Sequence, residues 1–172
     1  MQKLSVRRIT AIGVIAAIYV VITVLCSGFS YGPIQFRISE ALMLLCFFSK
    51  DYIIALTLGC FIANIFSTVG LIDTVVGTAA TLIAGILIYL FRKQGSISRM
   101  IVCSLFPVVA NGIFVGAELK FVAKLPFWLS CGEVAFGELV CVTVLGVIIF
   151  GLLSKNNGFM KLIAAESKTQ TA

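Results

Sequence analysis

Residues 35–48 read QFRISEALMLLCFF: Gln35, Arg37 and Glu40 stand at the lip of an almost unbroken apolar run. A charge at the centre of a membrane helix costs about 3 kcal/mol on insertion scales, so formal charges at such a place need a reason. Outward from this stretch the chain stays apolar. Of its 172 residues 60% are hydrophobic and only 12% charged, and the mean hydropathy is +1.15. Such values lie far outside those of water-soluble domains and identify an integral membrane protein.

Apolar runs between charged or turn-rich breaks fall at 9–27, 38–49, 52–68, 74–91, 101–117 and 134–153. They predict an all-α membrane protein with six transmembrane helices, forming one domain over residues 1–163 with a frayed tail at 164–172. A bilayer core of about 30 Å needs roughly 20 helical residues. The second run is too short for that and must tilt, extend through 33–37, or be partly broken. The first run is longer than an ordinary signal-peptide core and ends in SGFSYGP without a small-x-small cleavage site, so it is expected to be retained.

Charge predicts orientation. With the N-terminus inside, Lys3, Arg7, Arg8, Lys50, Arg92, Lys93, Arg99, Lys155, Lys161 and Lys168 are cytoplasmic, and only Arg37, Lys120 and Lys124 face outward. Glu40, Asp73, Glu118, Glu133 and Glu138 lie toward outer ends. The net charge of +6 is thereby accounted for by topology, and no nucleic-acid partner is implied. Six cysteines show no CxxC pair and read as small packing residues; only Cys26 and Cys131 lie where they could meet.

The chain has no histidine and no GxxxxGK[ST]. That excludes histidine-based catalysis, an HExxH metal site and P-loop ATP binding. No catalytic residue, metal site or cofactor is expected. Glu138, several residues into the last helix in VAFGELVCVTVLG, is too deep to be explained as a cap and is the first candidate for function. Glu133 and Asp73 stand at helix starts, where an acid also suits the dipole or caps the helix. Glu118 meets the unfavourable end of its helix. Asn64 and Asn111, amides inside apolar runs, serve either as interhelical glue or as ligand contacts. Arg37 and Glu40, three apart, share a face if the helix begins at Arg37, as an ion pair or as ligand groups. Tyr31, Gln35, Phe36, Phe127 and Trp128 sit in the outer breaks, as an interfacial belt or as part of a small-molecule site.

Small residues recur at helical spacing: Gly13 and Ala17; Gly77, Ala80, Ala84 and Gly85; Gly112 and Gly116. Such faces allow close helix packing. In the first run, AIGVIAAIYVV carries neither acid nor amide, and a partner subunit is a rival explanation for its small residues.

Together FRISEAL, LGCFIANIFSTVGLIDTVVGTAATLIA and FGELVCVTVLG resemble the QueT family over residues 5–155. These are substrate-binding S components of energy-coupling factor transporters that take up queuosine precursors. The resemblance implies a six-helix protein of the bacterial plasma membrane with both termini inside and an outer site closed by the loop between the first two helices. It implies as partners a membrane coupling subunit and two ATPases, and as docking pair Gly13 and Ala17, where the family has alanine twice. The implied substrate, 7-aminomethyl-7-deazaguanine or queuine, offers a cationic amine, a donor edge, a carbonyl and a flat ring. Glu138 and Glu40 are expected at the donors, Gln35, Arg37 and Asn111 at the carbonyl, Tyr31, Phe36 or Trp128 at the ring, with Asp73 and Glu118 nearby. The rival functions are a proton-coupled secondary carrier using Glu138 and a non-transporting structural membrane subunit.

Overall fold

A computed structural model describes residues 6–30, 35–67 and 70–164. Among the described residues there are helices and no strands: α1 (Val6–Leu25), the single turn α2 (Ser27–Ser30), a 3₁₀ helix (Ile38–Phe47), α3 (Asp51–Asn64), α4 (Leu71–Phe91) and α5 (Ile97–Val122). Then α6 (Phe127–Glu138) runs through a π-helical segment (Leu139–Gly146) into α7 (Val147–Leu153), and α8 (Asn157–Ala164) follows. Four stretches are long and apolar enough to cross a membrane: Arg8–Leu25, Leu71–Phe91, Ile97–Val122 and Phe127–Leu153. Large apolar side chains such as Leu71, Val75, Leu90, Val109 and Ile148 lie exposed on their flanks. An exposed apolar periphery of this extent is what a lipid solvent stabilises and water does not.

The short second run is drawn out by its geometry. A 3₁₀ helix rises about 2.0 Å per residue, so ten residues reach about 20 Å, where an α-helix of that length reaches about 15 Å. Residues i and i+3 eclipse one another, which places Glu40, Met43 and Cys46 in one line, all fully buried. The element is surrounded: it packs against α1, α3, α4, α5 and the π segment. Runs of 3₁₀ helix this long are uncommon and π segments are rarer, and here the two pack on each other at the centre of the bundle.

α1 packs chiefly on α3. Its inward face is Ala16, Tyr19 and Thr23. The approach requires a glycine, since a Cβ at Gly59 would stand 2.9 Å from the Tyr19 Cβ. Gly13 and Ala17 face outward, and nothing lies within 4 Å of the point where a Cβ at Gly13 would be. Internal packing is therefore not their role, whereas Gly77, Ala80, Ala84 and Gly85 are buried in α4, and Gly112 and Gly116 lie against Cys131 of α6. At one end of α1, Arg8 forks onto both carboxylate oxygens of the buried Asp51. At the other, the Thr23 and Ser39 hydroxyls meet at 2.6 Å.

All six cysteines are free; Cys26 and Cys131 are partly buried and unbridged. Ala164 closes α8, and Phe159, Met160 and Ile163 pack into the core. Residues 165–172 lie outside the described residues.

Candidate functional site

The buried acids gather about one buried arginine. Arg37, 1% exposed, is the N-cap residue of the 3₁₀ helix, and its Nη2 lies 3.4 Å from each carboxylate oxygen of Asp73 on α4. Arg37 also acts electrostatically on Glu40, Glu118 and Glu138. The i,i+3 spacing of Arg37 and Glu40 is joined through the backbone, Glu40 N–H donating to the Arg37 carbonyl at 2.9 Å. The Glu40 side chain accepts a hydrogen bond from the Tyr19 hydroxyl of α1 through Oε1.

Two asparagines hold further members. Asn64 at the end of α3 donates Nδ2 to the Asp73 carbonyl at 3.1 Å. A Cβ at Gly77 would come within 2.5 Å of that Nδ2 and 3.1 Å of Asp73 Oδ1, so the α4 backbone approaches the cluster as only glycine permits. Asn111 of α5 donates Nδ2 to Glu138 Oε1 at 2.8 Å. The acceptor that each amide meets, a backbone carbonyl for Asn64 and a carboxylate for Asn111, fixes which end faces it, since only the NH₂ donates. Glu138 is the last residue of α6, immediately before the π segment.

What these contacts leave over defines the chemistry. Glu40 Oε2, Glu138 Oε2, Asn64 Oδ1, Asn111 Oδ1 and both oxygens of Glu118 are buried with no hydrogen-bond partner among the described residues. Burying a polar group unpaired is costly, more so when it is charged. Every one of these atoms accepts, while the Nδ2 groups of the two asparagines already have acceptors. A ligand complementary to these atoms is rich in N–H donors.

The structure brings together Arg37, Glu40, Asp73, Asn111, Glu118 and Glu138 among the expected site residues. Gln35 is buried beside them in sequence, at a positive φ of 48°. Phe36 is half-buried, edge-on to Phe136 with centroids 6.1 Å apart. Trp128 does not join the cluster: it is 82% exposed, its ring against Phe127. Tyr31 lies outside the described residues. Tyr19 was not among the expected residues, although a phenol with a hydroxyl four residues on, Thr23, is the one polar face that the first run offers.

The chain matches the QueT transporter family over residues 9–155. It is also 36% identical over 165 residues to the "Queuosine precursor transporter QueT" of Lactococcus lactis subsp. cremoris (strain MG1363), an alignment covering 90% of this chain and 96% of that protein. The chain belongs to the QueT transporter family. It is accordingly a multi-pass membrane protein of a transporter family, and the buried cluster lies wholly within the stretch that matches QueT. No solved structure matches it.

Proposed function

We propose that this chain is the substrate-binding S component of an energy-coupling factor transporter importing a queuosine precursor, 7-aminomethyl-7-deazaguanine or queuine, across a bacterial plasma membrane. The observation that carries the substrate class is the surplus of buried acceptors around Arg37: Glu40 Oε2, Glu138 Oε2, Asn64 Oδ1, Asn111 Oδ1 and the Glu118 carboxylate. The aminomethyl cation, the ring N–H and the exocyclic amine of the substrate supply the donors these atoms lack. Glu40 and Glu138 take the donor edge or the amine. Asn111, whose Nδ2 is committed to Glu138, contributes its carbonyl to the acceptors, which leaves Gln35 and Arg37 for the substrate carbonyl. Phe36, with Tyr31, stacks on the ring. Asp73 holds Arg37 in place, and Glu118 adds negative potential.

In this reading six segments cross the membrane with both termini inside, the 3₁₀ helix and α3 serving as the short pair. A coupling subunit docks on the exposed Gly13 and Ala17 of α1, and two ATPases drive the cycle in which this subunit topples to release its load. The chain itself supplies affinity and no hydrolysis.

Two measurements test this. Filter binding of radiolabelled 7-aminomethyl-7-deazaguanine to the purified chain should saturate without any ATPase present. Expression with an ATPase pair and a coupling subunit should yield a complex that retains the chain through purification. Absence of deazaguanine binding would remove the substrate assignment, and failure to assemble would remove the S-component class.

A further inference from the structure

The Tyr19 hydroxyl is the only group on α1 that reaches a carboxylate of the cluster among the contacts described. Its ring is fully buried and closely held, with the Gly59 backbone against its Cβ and Cγ. Thr23 donates to the Tyr19 carbonyl at 2.8 Å and also meets Ser39, the residue before Glu40, at 2.6 Å. α1 and the start of the 3₁₀ helix are thus locked at two neighbouring points, and the phenol cannot follow Glu40 if the carboxylate swings.

We infer that Tyr19 is a positioning residue: it ties Glu40 through Oε1 so that Oε2 alone, in a fixed orientation, is offered to the donor edge of the substrate. The inference rests on the queuosine-precursor assignment. Asn111 of α5 treats Glu138 in the same way, holding Oε1 and leaving Oε2. Both holders are neutral donors on helices other than the one bearing the acid. A neutral donor orients a carboxyl group without placing a countercharge beside it. Asp73 contrasts with them, because its charge is already answered by Arg37. The cluster thereby divides into a self-compensated pair, Arg37 with Asp73, and two presented carboxylates, each with one oxygen held and one open.

Calorimetric titration with 7-aminomethyl-7-deazaguanine, in a cycle of wild type, Tyr19→Phe, Glu40→Ala and the double variant, tests this. Tyr19→Phe keeps the ring and should raise Kd about tenfold, the scale of one hydrogen bond to a charged group. In the Glu40→Ala background the same change should leave Kd within about twofold, because nothing remains to be positioned. Equal weakening in both backgrounds would mean that Tyr19 merely packs, and an unchanged Kd in Tyr19→Phe would mean that Glu40 needs no holder; either overturns the proposal. A wild type that binds no deazaguanine overturns the substrate assignment and this inference with it, whereas a binding wild type with an indifferent Tyr19→Phe overturns the inference alone. If Tyr19→Phe shows no cooperative thermal unfolding, 3-fluorotyrosine at position 19 takes its place. It keeps ring and fold while altering donor strength, and an unchanged Kd counts against the proposal.

Discussion

A carboxylate buried between helices persists only where something answers it, and the acids of this cluster are answered differently. Asp73 has Arg37, whereas Glu138 has one amide N–H and an open oxygen. Glu138→Gln removes the charge while keeping the shape. It should weaken binding of a cationic deazaguanine by about 10- to 100-fold, the range of a charge-assisted hydrogen bond, with little change in melting temperature; titration calorimetry and a thermal scan check both. Gly77→Ala should do the reverse in part. Its Cβ would collide with Asn64 Nδ2 at 2.5 Å, displacing Asn64 and Asp73, so that both stability and affinity fall. A Gly77→Ala protein with native melting temperature would show that the cluster yields more easily than its packing implies. Glu138, Asn111 and the acids at helix ends were legible in the sequence because polar residues in apolar runs are conspicuous. The partners were not. Asp73 stands 36 positions from Arg37, and spacing along one helix suggested Glu40; Tyr19 reads as one more bulky residue in a lipid-facing run. Trp128 illustrates the converse, since an aromatic near a membrane edge carries no sign of which way it points.

At the scale of elements, the first four apolar runs foresaw helices to within a few residues, whereas the fifth stopped short of Val122 and the sixth, opened at 134, missed the start of α6 at Phe127. The second run looked short, yet hydropathy cannot distinguish a 3₁₀ helix from an α-helix, and the larger rise adds about 5 Å to its reach. Likewise the last run is continuous in hydropathy, and its π segment follows Glu138 without any signal in composition. Two predictions belong to α1. Arg8→Ala leaves the buried Asp51 without its fork, and removing one partner of a buried pair costs about 3–5 kcal/mol. Because Arg8 is itself partly exposed, at 19%, the loss should fall toward the lower end; it should appear as a lowered melting temperature with Kd unaltered. Gly13→Leu adds bulk on the exposed face, where nothing lies within 4 Å. Uptake by cells should drop while binding to the purified chain is preserved, and an equal loss of both would show that the exposed face serves binding and not docking.

Across the whole molecule, function follows from placing two unlike surfaces back to back on a small helical bundle. The interior holds a buried cluster of unpaired acceptors, and the outer face of α1 is apolar, with Gly13 and Ala17 between Ile9, Val14, Ile18 and Val21. α1 belongs to both, with Tyr19 against Glu40 on one side and Gly13 and Ala17 exposed on the other. The central claim is that the surplus acceptors bind a cationic deazaguanine. The most direct measurement is calorimetric titration of the purified chain, alone in detergent, with 7-aminomethyl-7-deazaguanine, beside Glu138→Gln. Saturable binding to the wild type, weakened at least about tenfold in Glu138→Gln, is expected. No binding of any deazaguanine, or equal affinity in the two proteins, would contradict it.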